Sequence, residues 1–191
     1  MKNKIVSGLK ESIEVKNLVI KELVPQIEEA TQVIIKAIKN GNKLMVCGNG
    51  GSAADAQHIA GEFIGRFLKN RPAMAAIALT TDTTILTCLA NDFGFETVFA
   101  RQIEGLAKKG DVVLGLSTSG NSKNVELAFA KAKELGCTSI ALLGCGGGTL
   151  KKSADISLIV PSAATPRIQE SHITIGHIIC GLVEEGVFPN A

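Results

Sequence analysis

Between residues 43 and 160, five short apolar runs alternate with stretches of helical periodicity. The runs are Lys43–Cys47, Met74–Leu79, Asp111–Leu116, Thr138–Leu143 and Ile156–Val160. Strands that read as continuous apolar runs are buried on both faces, and strands alternating with helices pair in parallel. The pattern predicts an α/β fold, a five-stranded parallel sheet flanked by helices and doubly wound with right-handed crossovers. Helices are expected near 52–68, 83–90, 95–108, 122–135 and 166–185, the last with Thr165 as N-cap and Pro166 at its first position. In such sheets ligands bind beyond the carboxyl ends of the strands. The turns after the first and third strands are therefore where a site is expected.

Residues 1–40 carry an apolar stripe at spacings of mostly three to five, which predicts helix. Pro25 is expected to break or kink it into two segments, and Asn40-Gly41-Asn42 to end it. No linker or repeat divides the chain. It reads as a single domain over 1–191, with a helical region at 1–40 and an α/β core at 41–191. So large a stripe ahead of the core is expected to pack on the domain's own sheet or to pair with a partner chain, with some contribution to a subunit interface.

Composition narrows the function classes. Twenty Lys and Arg against 18 Asp and Glu leave a net charge of +2, which is no footprint for nucleic acid or an anionic membrane. There is no Trp or Tyr, so base stacking on an aromatic surface is not expected. The five cysteines are widely spaced with no CxxC, which reads as buried or half-buried free thiols in a reducing cytoplasm. The N-terminus has no apolar signal core, and no apolar run approaches the ~20 residues of a membrane span.

The first turn reads Gly48-Asn49-Gly50-Gly51-Ser52-Ala53-Ala54-Asp55. Glycines between a strand and a helix let backbone N–H groups approach an anion at the helix start. The string matches GxGxxA, a weak dinucleotide signal. A ribose-binding acid after the second strand is then needed, and Asp82 is the nearby candidate. The second turn, Ser117-Thr118-Ser119-Gly120-Asn121-Ser122, offers hydroxyls that hydrogen-bond a phosphate without adding charge. A phosphorylated small molecule suits this pair of turns better than a dinucleotide.

The three histidines are His58, His172 and His177. His58 and Glu62 share a helix face at i, i+4, a half-site for zinc or a surface ion pair. His177 lies between Gly176 and Ile178, where a packed core histidine is the plain alternative to a ligand.

The strings GNGGSAADAQHIAGEF, LANDFGFETVFARQ, STSGNS and TPRIQESHITIGH occur in order along the chain. They resemble the sugar isomerase (SIS) domain proteins and, among them, the phosphoheptose isomerases. The resemblance covers nearly the whole chain and implies a SIS-type, flavodoxin-like fold. It implies one zinc ion per subunit held by His58, Glu62, Gln169 and His177, with Glu62 and His177 transferring protons. It implies substrate contacts at Asn49, Gly50, Gly51, Ser52, Glu62, Asn91, Asp92, Ser117, Thr118, Ser119, Ser122 and Gln169. The implied reaction is aldose–ketose isomerisation of sedoheptulose 7-phosphate to D-glycero-D-manno-heptose 7-phosphate, opening ADP- or GDP-heptose synthesis, in a cytoplasmic homo-oligomer, a tetramer with sites at its subunit interfaces. Some members carry His-Cys where this chain has Ala53-Ala54, outside the implied site. A non-catalytic SIS-domain protein that binds phosphosugars or associates with the replication initiator is the alternative. The presence of both Glu62 and His177 favours the enzyme.

Gln169 and His177 are eight residues apart, about 12 Å and about 80° on a helix. They do not converge on one ion from one helix, so the expectation is a shared site with His177 reaching in from a neighbouring subunit. His172 points elsewhere and is expected to be structural.

Overall fold

All five expected strands form, and they make one sheet. They are β1 (Leu44–Gly48), β2 (Ala76–Ala78), β3 (Val112–Ser117), β4 (Thr138–Leu143) and β5 (Ile156–Ile159) in a computed structural model that describes residues 1–191. The order is β2-β1-β3-β4-β5 and every pairing is parallel. The helices are α1 (Lys2–Lys39), α2 (Gly51–Ile64), α3 (Thr83–Phe93), α4 (Val98–Leu106), α5 (Lys123–Glu134) and α6 (Thr165–Val187).

The period-two geometry of the strands builds two cores. Leu44, Val46, Val112, Leu114 and Leu116 face one side and pack with α1, α2 and α6. Met45, Cys47 and Val113 face the other and pack with α4 and α5. At Gly115 a Cβ would lie 2.5 Å from the Phe129 ring, so glycine there lets α5 sit close on the central strand. The doubly wound sheet is therefore as expected, and no helix is long and apolar enough to cross a membrane.

Several expected boundaries shift. The break at Pro25 does not occur, and α1 runs through it as one helix of 38 residues. Pro25 is exposed, while Leu23, Ile27 and Ala30 on the opposite face are buried. Continuous burial offsets the hydrogen bond that proline cannot make. The second strand shrinks to three residues because Met74 N–H turns back to the Phe63 carbonyl. The expected 95–108 helix is a 3₁₀ turn at Phe95–Thr97 followed by α4. Ala164, not Thr165, is the N-cap of α6. All five cysteines are free, but Cys88 and Cys145 are exposed, since α3 buries no residue and Cys145 sits in a glycine-rich loop.

The helix expected to reach residue 68 stops at Ile64, and the cause is remote in sequence. The Glu184 carboxylate on α6 accepts the backbone N–H groups of Phe67, Leu68 and Lys69 at 2.8–3.1 Å, and Arg71 Nε at 3.0 Å. Arg71 in turn donates to the carbonyls of Glu62, Phe63, Gly65 and Pro72. Both side chains are buried. Burial alone would push the Glu184 carboxyl up, but the three N–H groups and the guanidinium outweigh it and hold it below the usual carboxylate range. Glu184→Ala leaves Arg71 without its counter-charge and is expected to cost about 3–5 kcal/mol, read as a lower urea midpoint. A depressed carboxyl stabilises above its unfolded value, and that stability is lost as pH falls through the folded one. The wild-type midpoint should therefore fall further on acidification than that of the variant.

Candidate active site

β1 and β3 are neighbours, with Gly48 paired to Leu116, so the two expected turns leave the sheet side by side. Gly50 has φ 55 and ψ −121, a conformation that requires glycine. Gly51 opens α2, and a Cβ there would fall within 1.8 Å of Gln169 Nε2. Gln169 therefore lies directly over the turn. Ser52 is buried beneath it.

In the second turn the hydroxyls are tied to one another. Ser117 Oγ lies 2.8 Å from Ser122 Oγ and 3.5 Å from Ser119 Oγ, and it accepts the Gly120 N–H. Thr118 is half-buried and Ser119 is exposed. The glycine-rich loop braces this turn from behind: Leu150 N–H bonds the Gly120 carbonyl, and Thr149 N–H bonds Asn121 Oδ1. The turns themselves are joined by a reciprocal pair, Asn49 Nδ2 to Asn124 Oδ1 at 3.0 Å and Asn124 Nδ2 to Asn49 Oδ1 at 2.8 Å. The first N–H groups of α2 and α5 have no acceptor within their own helices and face the same edge of the sheet.

Farther along α2, His58 Nε2 lies 3.0 Å from Glu62 Oε1 and 3.1 Å from His177 Nε2. The donor atoms of His58, Glu62 and His177 all lie within 4.8 Å of one another. This happens within one chain and corrects the expectation that His177 serves a neighbour. The cause is the packing of α6 along α2. At Gly176 a Cβ would come 2.9 Å from Ile59 Cδ1, so glycine allows the helices to close and sets His177 against His58. Phe67, positioned through its backbone bond to Glu184, stacks on the His177 ring at 5.5 Å.

Gln169 does not join this group inside the chain. It sits against Gly51, about 12 Å up the axis of α6 from His177. The divergence expected from the spacing is real, but Gln169 is the residue it sets apart. His172 is fully buried, and its Nε2–H donates to the Leu143 carbonyl at 3.0 Å. Burial drives its pKa down to about 4, which fits a structural, neutral imidazole. Asn91 and Asp92 are exposed on α3 and hydrogen-bond each other, without a hydrogen bond to the other site residues. Asp82 caps α3 through Ile85 N–H, which employs the one acid a dinucleotide reading relied on.

Two residues of the site escaped the sequence analysis. Asp55, one turn before His58, lines a cleft of about 340 Å³ with Gln169 and Glu170. Its Oδ2 is buried without a partner, and burial raises its pKa against the pull of His58 and His177. Its i, i+3 relation to His58 was a usable signal. Asn124 is 4% exposed, and nothing in its local sequence marks it as Asn49's partner.

Residues 9–144 match the family model described as SIS domain, which places the chain among the SIS domain proteins. The phosphoheptose isomerase of Clostridium acetobutylicum is 51% identical over 190 residues, 98% of this chain and 97% of that protein. That of Citrifermentans bemidjiense is 57% identical over 96% of both. The solved phosphoheptose isomerase from Neisseria gonorrhoeae superposes with a TM-score of 0.91 at 41% identity, covering 96% of this chain and 98% of that one. The chain belongs to the phosphoheptose isomerase family and is an isomerase.

Gly51→Ala forces Gln169 off the first turn. The overpacking should cost about 1–3 kcal/mol, read in a thermal melt, and a crystal structure of the variant should show Gln169 in another rotamer.

Proposed function

We propose that the protein interconverts sedoheptulose 7-phosphate and D-glycero-D-manno-heptose 7-phosphate, the entry reaction to nucleotide-activated heptose, in the cytoplasm. The observation that carries this is the convergence of His58, Glu62 and His177 beside two turns suited to a phosphate. Isomerisation takes a proton from C1 of the ketose and returns one to C2, while the O1 proton leaves and O2 gains one. The intermediate is an enediol(ate), and a carboxylate with an imidazole supplies both kinds of transfer. Glu62 Oε1 faces His58, which leaves Oε2 to hold the carbon-borne proton. His177 serves as the partner at the other reacting position. Asn49, Gly50, Gly51, Ser52, Ser117, Thr118, Ser119 and Ser122 hold the phosphosugar, and Asn91 and Asp92 are the further contacts that the resemblance implies.

The same three side chains fit a zinc ion. Two imidazole nitrogens at 3.1 Å, with a carboxylate oxygen at 3.0 Å from one of them, approach the roughly 3.3 Å edge expected of a tetrahedral N/O site. His58, Glu62 and His177 would hold the ion, which would supply Lewis-acid polarisation of the sugar oxygens. Gln169, the fourth ligand that the resemblance implies, would reach the ion only by leaving its place over Gly51.

Association in a tetramer is supported by apolar surface left outside the fold. Ile5, Leu9, Ile13, Ile20 and Val24 of α1 are all more than half exposed. An apolar cavity of about 480 Å³ lies between α1 and α6, lined in part by Val24, Ile27, Ile178 and Leu182.

Purified protein should convert sedoheptulose 7-phosphate to the aldose. Glu62→Gln and His177→Ala should each lower kcat by at least about a hundredfold with unchanged circular dichroism. Dialysis against a chelator should remove activity, and zinc should restore it. Undiminished turnover in both variants rejects the assignment.

A further inference from the structure

The reciprocal amide pair joining the two turns has a consequence beyond substrate contact. Asn49 follows β1 and begins the turn that leads into α2, the helix carrying His58 and Glu62. Asn124 is the second residue of α5, the helix that the serine turn feeds. Each amide gives its carbonyl and one N–H to the other. Among side-chain hydrogen bonds, these two alone span the turns. The serine turn is already braced by Thr149, Leu150 and its own hydroxyls. What the Asn pair adds is the spacing between that turn and α2. Because Asn124 is 4% exposed, its amide is desolvated, and an unmade bond there is costly. Asn49 spends one N–H and one acceptor site on Asn124, and its second amide N–H remains for a ligand.

We propose that Asn124 is a positioning residue for the isomerisation: through Asn49 it sets the register between the phosphate-holding serine turn and the proton-transfer group on α2. This rests on the isomerase reading. A phosphate held on α5 places the far end of a seven-carbon chain at α2 only if the two helix starts keep their spacing. Loss of the pair leaves the serine turn intact and misplaces the reacting carbons.

The test uses Asn49→Ala, Asn124→Ala and the double variant, each checked by thermal melt, with steady-state kinetics on sedoheptulose 7-phosphate and competition by inorganic phosphate. Wild-type turnover tests the isomerase reading on its own, and the variants are judged only against an active wild type. Each single variant should lose about ten- to a hundredfold in kcat, since small misplacements of reacting atoms are amplified in rate. For Asn124→Ala the inhibition constant of inorganic phosphate should stay within about twofold, because the serine turn is untouched. The double variant should be no worse than the worse single, as expected of two groups acting as one unit. If Asn124→Ala does not fold, Asn124→Ser keeps a polar group in the buried position while breaking the same reciprocal pair. Unchanged kcat in a folded variant overturns the proposal. So does weaker phosphate inhibition with kcat intact, which makes Asn124 part of the phosphate grip, and so does strict additivity of the two losses.

Discussion

The site depends on how closely α6 lies along α2. Three contacts fix that approach at three heights. Gln169 rests where Gly51 has no side chain, Gly176 admits Ile59 at the middle, and Glu184 draws in the segment after α2 at the far end. The middle contact sets His177 against His58, and the last brings the Phe67 ring over His177. Protein interiors are close-packed and transmit displacement, so a shift at one height is felt at the other two. The chemistry is thus supported by packing between two helices that are more than a hundred residues apart in the chain.

What was legible follows from local rules. Apolar runs and helical periodicity identified the sheet, and glycine- and serine-rich strings identified two strand-to-helix turns that lie side by side. His58 and Glu62 were readable as a pair because one helix carries both. What escaped depends on which elements become neighbours. Spacing correctly separated Gln169 from His177, but it carried no information on the helix that would lie alongside, so His177 was assigned to the wrong chain. Likewise α2 stops at Ile64 because of a carboxylate at position 184, and the helix through Pro25 holds because of burial that its own residues do not announce. Asn124 was invisible for the same reason: its meaning lies in Asn49, which sits on another strand's turn.

A nearly neutral chain that handles a phosphorylated ligand would be a contradiction if phosphate recognition required a basic patch. Here helix starts, backbone N–H groups and a cluster of mutually bonded hydroxyls offer donors without formal charge. The Ser117 and Ser122 hydroxyls satisfy each other at 2.8 Å, and a hydroxyl can rotate to suit another acceptor. Uncharged donors of this kind depend less on ionic strength than paired surface charges do.

The parallel sheet also dictates a history. Each strand pairing encloses a crossover, so no pair can zip from a short turn, and loop-closure entropy is spent before the sheet repays it. The helix that begins the chain packs against β5 and α6, the elements that end it. During synthesis α1 therefore precedes the elements that cover most of it, and Val19, Leu23, Ile27 and Ile34 await partners that have not yet left the ribosome. The interval in which this stripe stands uncovered, more than any weakness of the finished fold, is when the chain is most open to aggregation or to capture by a chaperone.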